Sequence, residues 1–157
     1  MIDIYELLKS GDLLGVSMGS SERDISVALG KKAPEKINVG IDNLGPIALL
    51  YGGLEFHLFD DKVINIIIKM ANYQTDASNI WIGSKENTIN RKTTLNKMIK
   101  ILNKNKIHWE FYSKYSSGKR IELITEGSTT IEFLAEKNRI LINRIHRNDE
   151  DTFESHE

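Results

Sequence analysis

The sequence predicts an α+β fold: an antiparallel sheet from two related helix-plus-hairpin halves, with helices packed on one face. Three observations lead there. Short capped helical segments precede runs of strands, the strand runs are joined by turns too short for crossover helices, and one helix-then-hairpin pattern occurs twice.

Taken in order, "IDIYELLKSG" places Ile4, Leu7 and Leu8 on one helical face and stops at Gly11. In "SSERDISVALGKK", Ser20 or Ser21 can cap a second helix whose Ile25, Ala28 and Leu29 share a face before Gly30 ends it. "APEKINVGIDNLGP" holds both prolines, Pro34 and Pro46, and reads as loop with a short extended piece. "IALLY", "LEFHLF" and "KVINIIIKM" read as three antiparallel strands, turned at Gly52-Gly53 and at Asp60-Asp61. "ANYQTDASNIWIGSKENTIN" is polar and turn-rich, yet Tyr73, Ile80, Trp81 and Ile82 predict a buried aromatic anchor within it.

Leu95, Met98, Ile99 and Leu102 then recur at helical spacing, started by Thr93 or Thr94 and closed near Asn103 or Asn105. Four strands follow: "IHWEFYS", "KRIELITE", "TTIEFLA" and "RILINRIH". In the first of them Ile107, Trp109 and Phe111 face the core and His108, Glu110 and Tyr112 face away. The domain is read as residues 1–148, with repeat halves 1–75 and 90–148, and residues 149–157 as an acidic, frayed tail.

The repeat is carried by two alignments. "LEFHLFDDKVINIIIK" and "IEFLAEKNRILINRIH" match at an offset of 77, pairing Glu55 with Glu132 and Phe56 with Phe133. Upstream, "SSERDISVALGK" and "TTLNKMIKILNK" match at an offset of 73, pairing Ser21 with Thr94 and Leu29 with Leu102. The second hairpin replaces Asp60-Asp61 with Lys137-Asn138, so these acids read as turn formers rather than as a catalytic pair.

Composition narrows the function. Of 157 residues, 40% are hydrophobic and 27% charged, a globular balance, and the net charge of -1 supplies no global field for nucleic acid. The absence of cysteine excludes thiol catalysis and cysteine metal sites and agrees with a reducing compartment. The N-terminus lacks a secretory pattern and "INIIIKM" is too short to span a bilayer, so the expectation is a cytoplasmic protein with no membrane partner. His57, His108, His146 and His156 form no metal-ligand spacing; His57 and His146 read as residues of a strand's solvent face. "GVSMG" has the letters of a nucleophile elbow without the long parallel sheet that one needs. The chain is therefore expected to be no enzyme and to use no cofactor and no metal.

"SMGSSERDISVALGK" followed by "GGLEFHLFDDKVINII" is similar to the helix-then-hairpin pattern of β-lactamase-inhibitor-like proteins and of outer-membrane assembly lipoproteins of the SmpA/OmlA type. The small, cysteine-free α+β chain also resembles immunity proteins of bacterial contact-dependent and polymorphic toxin systems. What both resemblances imply is a protein whose task is to bind another protein, most concretely a cognate toxin domain whose active site it covers. The residues expected to meet that partner are Tyr73, Trp81, Tyr115, Arg120 and the acids Asp149, Glu150 and Asp151. An accessory or scaffold subunit is the second expectation and a small-ligand domain the third; a monomer is plausible.

Overall fold

The computed structural model describes residues 2–30, 33–40, 45–70, 80–114 and 116–154. Among them it is α+β, with three helices, an eight-stranded antiparallel sheet and a three-stranded mixed sheet. Strand β1 (Ile2–Asp3) leads into helix α1 (Tyr5–Ser10), where Leu7 and Leu8 are buried and Gly11 closes the helix in the left-handed conformation. Helix α2 (Glu22–Leu29) starts at a reciprocal capping box between Ser21 and Asp24.

A meander of four strands follows: β2 (Glu35–Asn38), β3 (Ile47–Tyr51), β4 (Leu54–Phe59) and β5 (Lys62–Lys69). Asp60 and Asp61 both have positive φ, the geometry that a two-residue hairpin turn demands. Asp61 Oδ1 also accepts a hydrogen bond from the Glu22 amide, tying the turn to the start of α2.

Strands β6 (Ile80–Ile82) and β7 (Ser84–Ile89) form the small sheet with β1, which pairs with β6 in parallel. This corrects the expectation of an aromatic anchor in that segment. Alternation along β6 buries Ile80 and Ile82 and turns Trp81 outward, where Lys85 Nζ lies 5.7 Å from its ring centroid. Tyr73 lies outside the described residues.

Helix α3 (Leu95–Lys104) is capped by Thr94 and buries Met98, Ile101 and Leu102. A second meander completes the chain: β8 (Trp109–Phe111), β9 (Arg120–Thr125), β10 (Thr129–Glu136) and β11 (Arg139–Asn148). The large sheet runs β2-β3-β4-β5-β11-β10-β9-β8, so the two meanders meet at their last strands, β5 against β11. Both edges, β2 and β8, are short. Phe111 was expected in the core, but the strand lies at the edge of the sheet and leaves this ring 61% exposed, edge-on to half-buried Trp109.

One face of this sheet is apolar. Leu49, Phe56, Ile66, Ile145, Phe133 and Leu123 join the buried residues of all three described helices in a single core cluster. Each such side chain contributes about 1.5–3 kcal/mol on burial. Helix α1 is pinned at the far end of β10: Gly127 donates its amide to Leu8 O, and Thr129 Oγ1 donates to Leu7 O at 2.7 Å. A Cβ on Gly127 would meet Leu7 O at 2.6 Å and Gly11 N at 2.7 Å, both backbone atoms that move only with the helix. Gly127→Ala should therefore destabilise the fold by about 2 kcal/mol. Hydrogen exchange should show the loss first at α1 amides; an unchanged urea midpoint would refute this reading of the packing.

Candidate functional site

The opposite face of the sheet is polar by the same alternation that makes the first apolar. Its buried apolar residues, Ala48, Ile67 and Ile124, stand outside the core cluster, and no described helix contributes a buried residue to it. Titratable side chains are nevertheless buried on it: Glu55 and His146 are 7% exposed, Glu132 2% and Glu122 1%. They shield one another because registered strands bring them side by side. Glu122 of β9 pairs with Glu132 of β10, which pairs with Arg144 of β11.

Glu132 anchors this row. It accepts from Arg120 Nη2 and from Arg144 Nε at 3.1 Å on one oxygen, and from Asn143 Nδ2 at 2.6 Å on the other. Burial pushes its carboxyl up, but the bonds and positive charges of Asn143, Arg144 and Arg120 outweigh that and hold it below the usual range. Glu55 is held low in the same way, burial being overcome by Lys69 at 2.6 Å and His57 at 3.2 Å.

Glu122 differs. Neither of its oxygens accepts a hydrogen bond from the described residues, and the Arg120 Nε atom is 3.7 Å away. Burial, then the neighbouring charge of Glu132, raises its carboxyl to about 7, with Arg120 opposing. Other buried atoms also lack a hydrogen-bond partner among the described residues: Thr130 Oγ1, His146 Nε2 and Asn65 Oδ1 on the same face, and Asp151 Oδ2. His146, expected to face solvent, lies on this face yet is closed over; burial, then Arg144, depresses its pKa.

The acidic tail was expected to fray from Asp149. Instead the chain turns at Asn148, whose Oδ1 accepts the Glu150 and Asp151 amides, and Asp151 is 1% exposed. Tyr112 Oη donates to Asp151 Oδ1 at 2.8 Å and Lys114 Nζ lies 3.3 Å from the same atom, so a charge that reads as surface from sequence is held by two partners across the sheet. Asp149, Glu150 and Glu154 remain exposed. A groove of about 500 Å³ is lined by Phe111 and Tyr112 with Glu110, Glu150 and Glu154. Tyr112→Phe should cost about 1–2 kcal/mol. It should also speed limited proteolysis after residue 148; an unchanged cleavage rate would refute the anchoring role.

Of the residues expected to meet a partner, the structure brings Arg120 to the polar face, holds Asp151 through Tyr112 and sets Glu150 in the groove, while Asp149 is exposed outside its lining. Trp81 belongs to the separate small sheet, and Tyr115 lies outside the described residues. The polar row Glu122, Glu132, Arg144 and His146 was not singled out as a site. The sequence hides it: a two-residue turn at Gly127-Ser128 would set Glu122 opposite Phe133, whereas the turn spans Glu126 to Ser128 and sets it opposite Glu132, where like charges need a neutralising neighbour.

Among the described residues no group of three or more His, Cys, Asp or Glu side chains is placed to hold a metal ion, and no helix is long and apolar enough to cross a membrane. No family model, curated protein or solved structure matches the chain.

Proposed function

We propose that the chain is a protein-binding immunity or inhibitor protein that neutralises a cognate bacterial toxin by covering its active site. The observation that carries this reading is the polar sheet face: a broad surface with no described helix packed on it, on which Arg120, Arg144, Glu132 and Glu55 are already fixed by ion pairs. A surface ordered before binding loses little conformational freedom when a partner docks, and patterned charge selects among partners. The exposed acids Glu150 and Glu154 line the groove holding Phe111 and would, with exposed Asp149, steer a basic cleft toward it. In this reading the chain performs no chemistry of its own.

The same reading treats the two meanders as related halves. It is supported by the equivalent pairings Glu55 with Ile67 and Glu132 with Arg144, which share the offset of 77, and by capped helices before each meander. Two stacked halves would give one face large enough for a protein partner.

The test is co-expression with the product of the adjacent gene in a bacterium whose growth that product arrests. Growth should be restored and a stoichiometric complex should co-purify. Continued arrest with no complex would overturn the proposal.

A further inference from the structure

At the seam of the two meanders the polar face opens into a cavity of about 180 Å³. Strand β11 supplies Arg144, His146 and Asn148 at alternate positions, β5 supplies Asn65 and an apolar floor at Ile67, and Arg120 reaches in from β9. Its lining thus contains two guanidinium groups, an imidazole and two amides, and no carboxylate. Two of its polar atoms, His146 Nε2 and Asn65 Oδ1, are buried without a hydrogen-bond partner among the described residues, and the His146 imidazole is only 7% exposed.

We propose that this cavity binds a single carboxylate group, gripped by Arg120 and Arg144 and hydrogen-bonded by His146 and Asn65. Each guanidinium carries five N–H donors in a planar fork that fits a two-oxygen acceptor, and the bonds to Glu132 occupy only part of that capacity. The Asn65 amide can present its NH₂ by turning about its last torsion, and the imidazole can carry its proton on Nε2. Size and charge select the ligand. The cavity is smaller than the roughly 300 Å³ at which pockets begin to hold larger organic ligands. Two guanidinium groups face one firmly ionised carboxylate, Glu132, so the surplus suits a monoanion, while nearby Glu122 and Asp151 oppose a doubly charged one.

Two sources could supply the group: an acidic side chain of the protein partner, which rests on the reading above, or a small free carboxylic acid, which does not. Binding would also be proton-linked. His146 is faced by Arg144 on its own strand, Arg120 and Glu132 from β9 and β10, Asp151 from the C-terminal segment, and Thr130 and Ile67 across the sheet. An added negative charge there favours the protonated forms of both His146 and Glu122, so affinity should rise severalfold from pH 8 to pH 6.

The experiment is a titration of the full chain with acetate and, separately, with a capped Gly-Asp-Gly peptide, followed through the His146 ring signals by NMR. Chloride and phosphate at matched ionic strength serve as controls. Saturable shifts with a dissociation constant on the order of 1–10 mM are expected, the scale that a handful of ligand atoms supports. Tighter binding of the peptide points to the partner's side chain, and equal or tighter binding of acetate to a free acid. Asn65→Leu, which removes the amide and narrows the cavity, and the isosteric Asn65→Asp, which adds a repelling charge, should each abolish the response while leaving the Glu132 bonds in place. No saturable shift, an equal response to phosphate, or a response surviving in both variants would overturn the site. None of these results depends on the toxin partner, so the two proposals fail separately.

Discussion

Replacing both guanidiniums, Arg120→Met with Arg144→Met, should lower the stability of the chain by about 3–5 kcal/mol at neutral pH, and Glu132→Leu should cost distinctly less. The asymmetry follows from where each charge sits. Glu132 is 2% exposed and ionised, whereas the arginine side chains are 35% and 37% exposed and can turn into water when their partner is removed. The double variant strands a buried carboxylate beside Glu122, leaving only Asn143 to satisfy it. The carboxylate variant strands nothing buried and adds an apolar side chain at a covered position. Urea denaturation of the three proteins at pH 7 measures the difference. The deficit of the double variant should shrink on acidification, because a stranded carboxyl that takes up a proton loses the charge that made it costly. A larger loss from Glu132→Leu would mean that the arginines, not the acid, are the buried members of this network.

This network also marks what could be read from the chain and what could not. Alternation in "LEFHLF" and "TTIEFLA" fixes which side chains face the core, and Ser21, Thr94, Gly11 and Gly30 mark helix ends through local chemistry alone. Strand β2 was read as loop with a short extended piece because all four of its residues are exposed at an edge, so burial imposes no pattern on them. Strand β6 escaped for another reason. Its local partner β7 is mostly exposed and polar with an irregular register, and its other partner β1 is a two-residue strand at the start of the described chain, so neither pairing leaves a local period to read.

Site residues are legible to the same degree. Arg120 could be placed near a hairpin, but its ion pair with Glu132 depends on the register that sets it opposite Leu134, one diagonal step from Glu132. Asp151 reads as one acid in an acidic tail, and only the Asn148 turn and the reach of Tyr112 show that it is buried. Charge in a sequence predicts exposure unless registered strands stack it against other charge, and stacking is a property of sheet order.

Glu122→Gln should stabilise the protein at high pH and leave it nearly unchanged in acid, the reverse of what removal of a surface charge does. The wild-type carboxyl is raised from its ordinary 4.5 to about 7, first by burial and then by Glu132. Below pH 4.5 it is protonated in folded and unfolded chains alike, and glutamine mimics it. From there to pH 7 the folded chain keeps a proton that the unfolded chain has lost. Wild-type stability from this group therefore declines by about 1.4 kcal/mol per pH unit across that window and levels off above it. Glutamine has no proton to lose, so its advantage grows to about 3 kcal/mol by pH 8. Glu132 and His146, both shifted downward, impose the opposite slope, but they do so in both proteins and largely cancel in the comparison. Urea midpoints of wild type and variant at pH 5 and pH 8 give the result, and an equal difference at the two pH values would refute a raised carboxyl. A carboxyl that weakens the fold at the pH where it ionises is unexplained by folding alone. If the stabilised variant also binds the toxin proposed above less tightly, the cost of Glu122 is traced to binding.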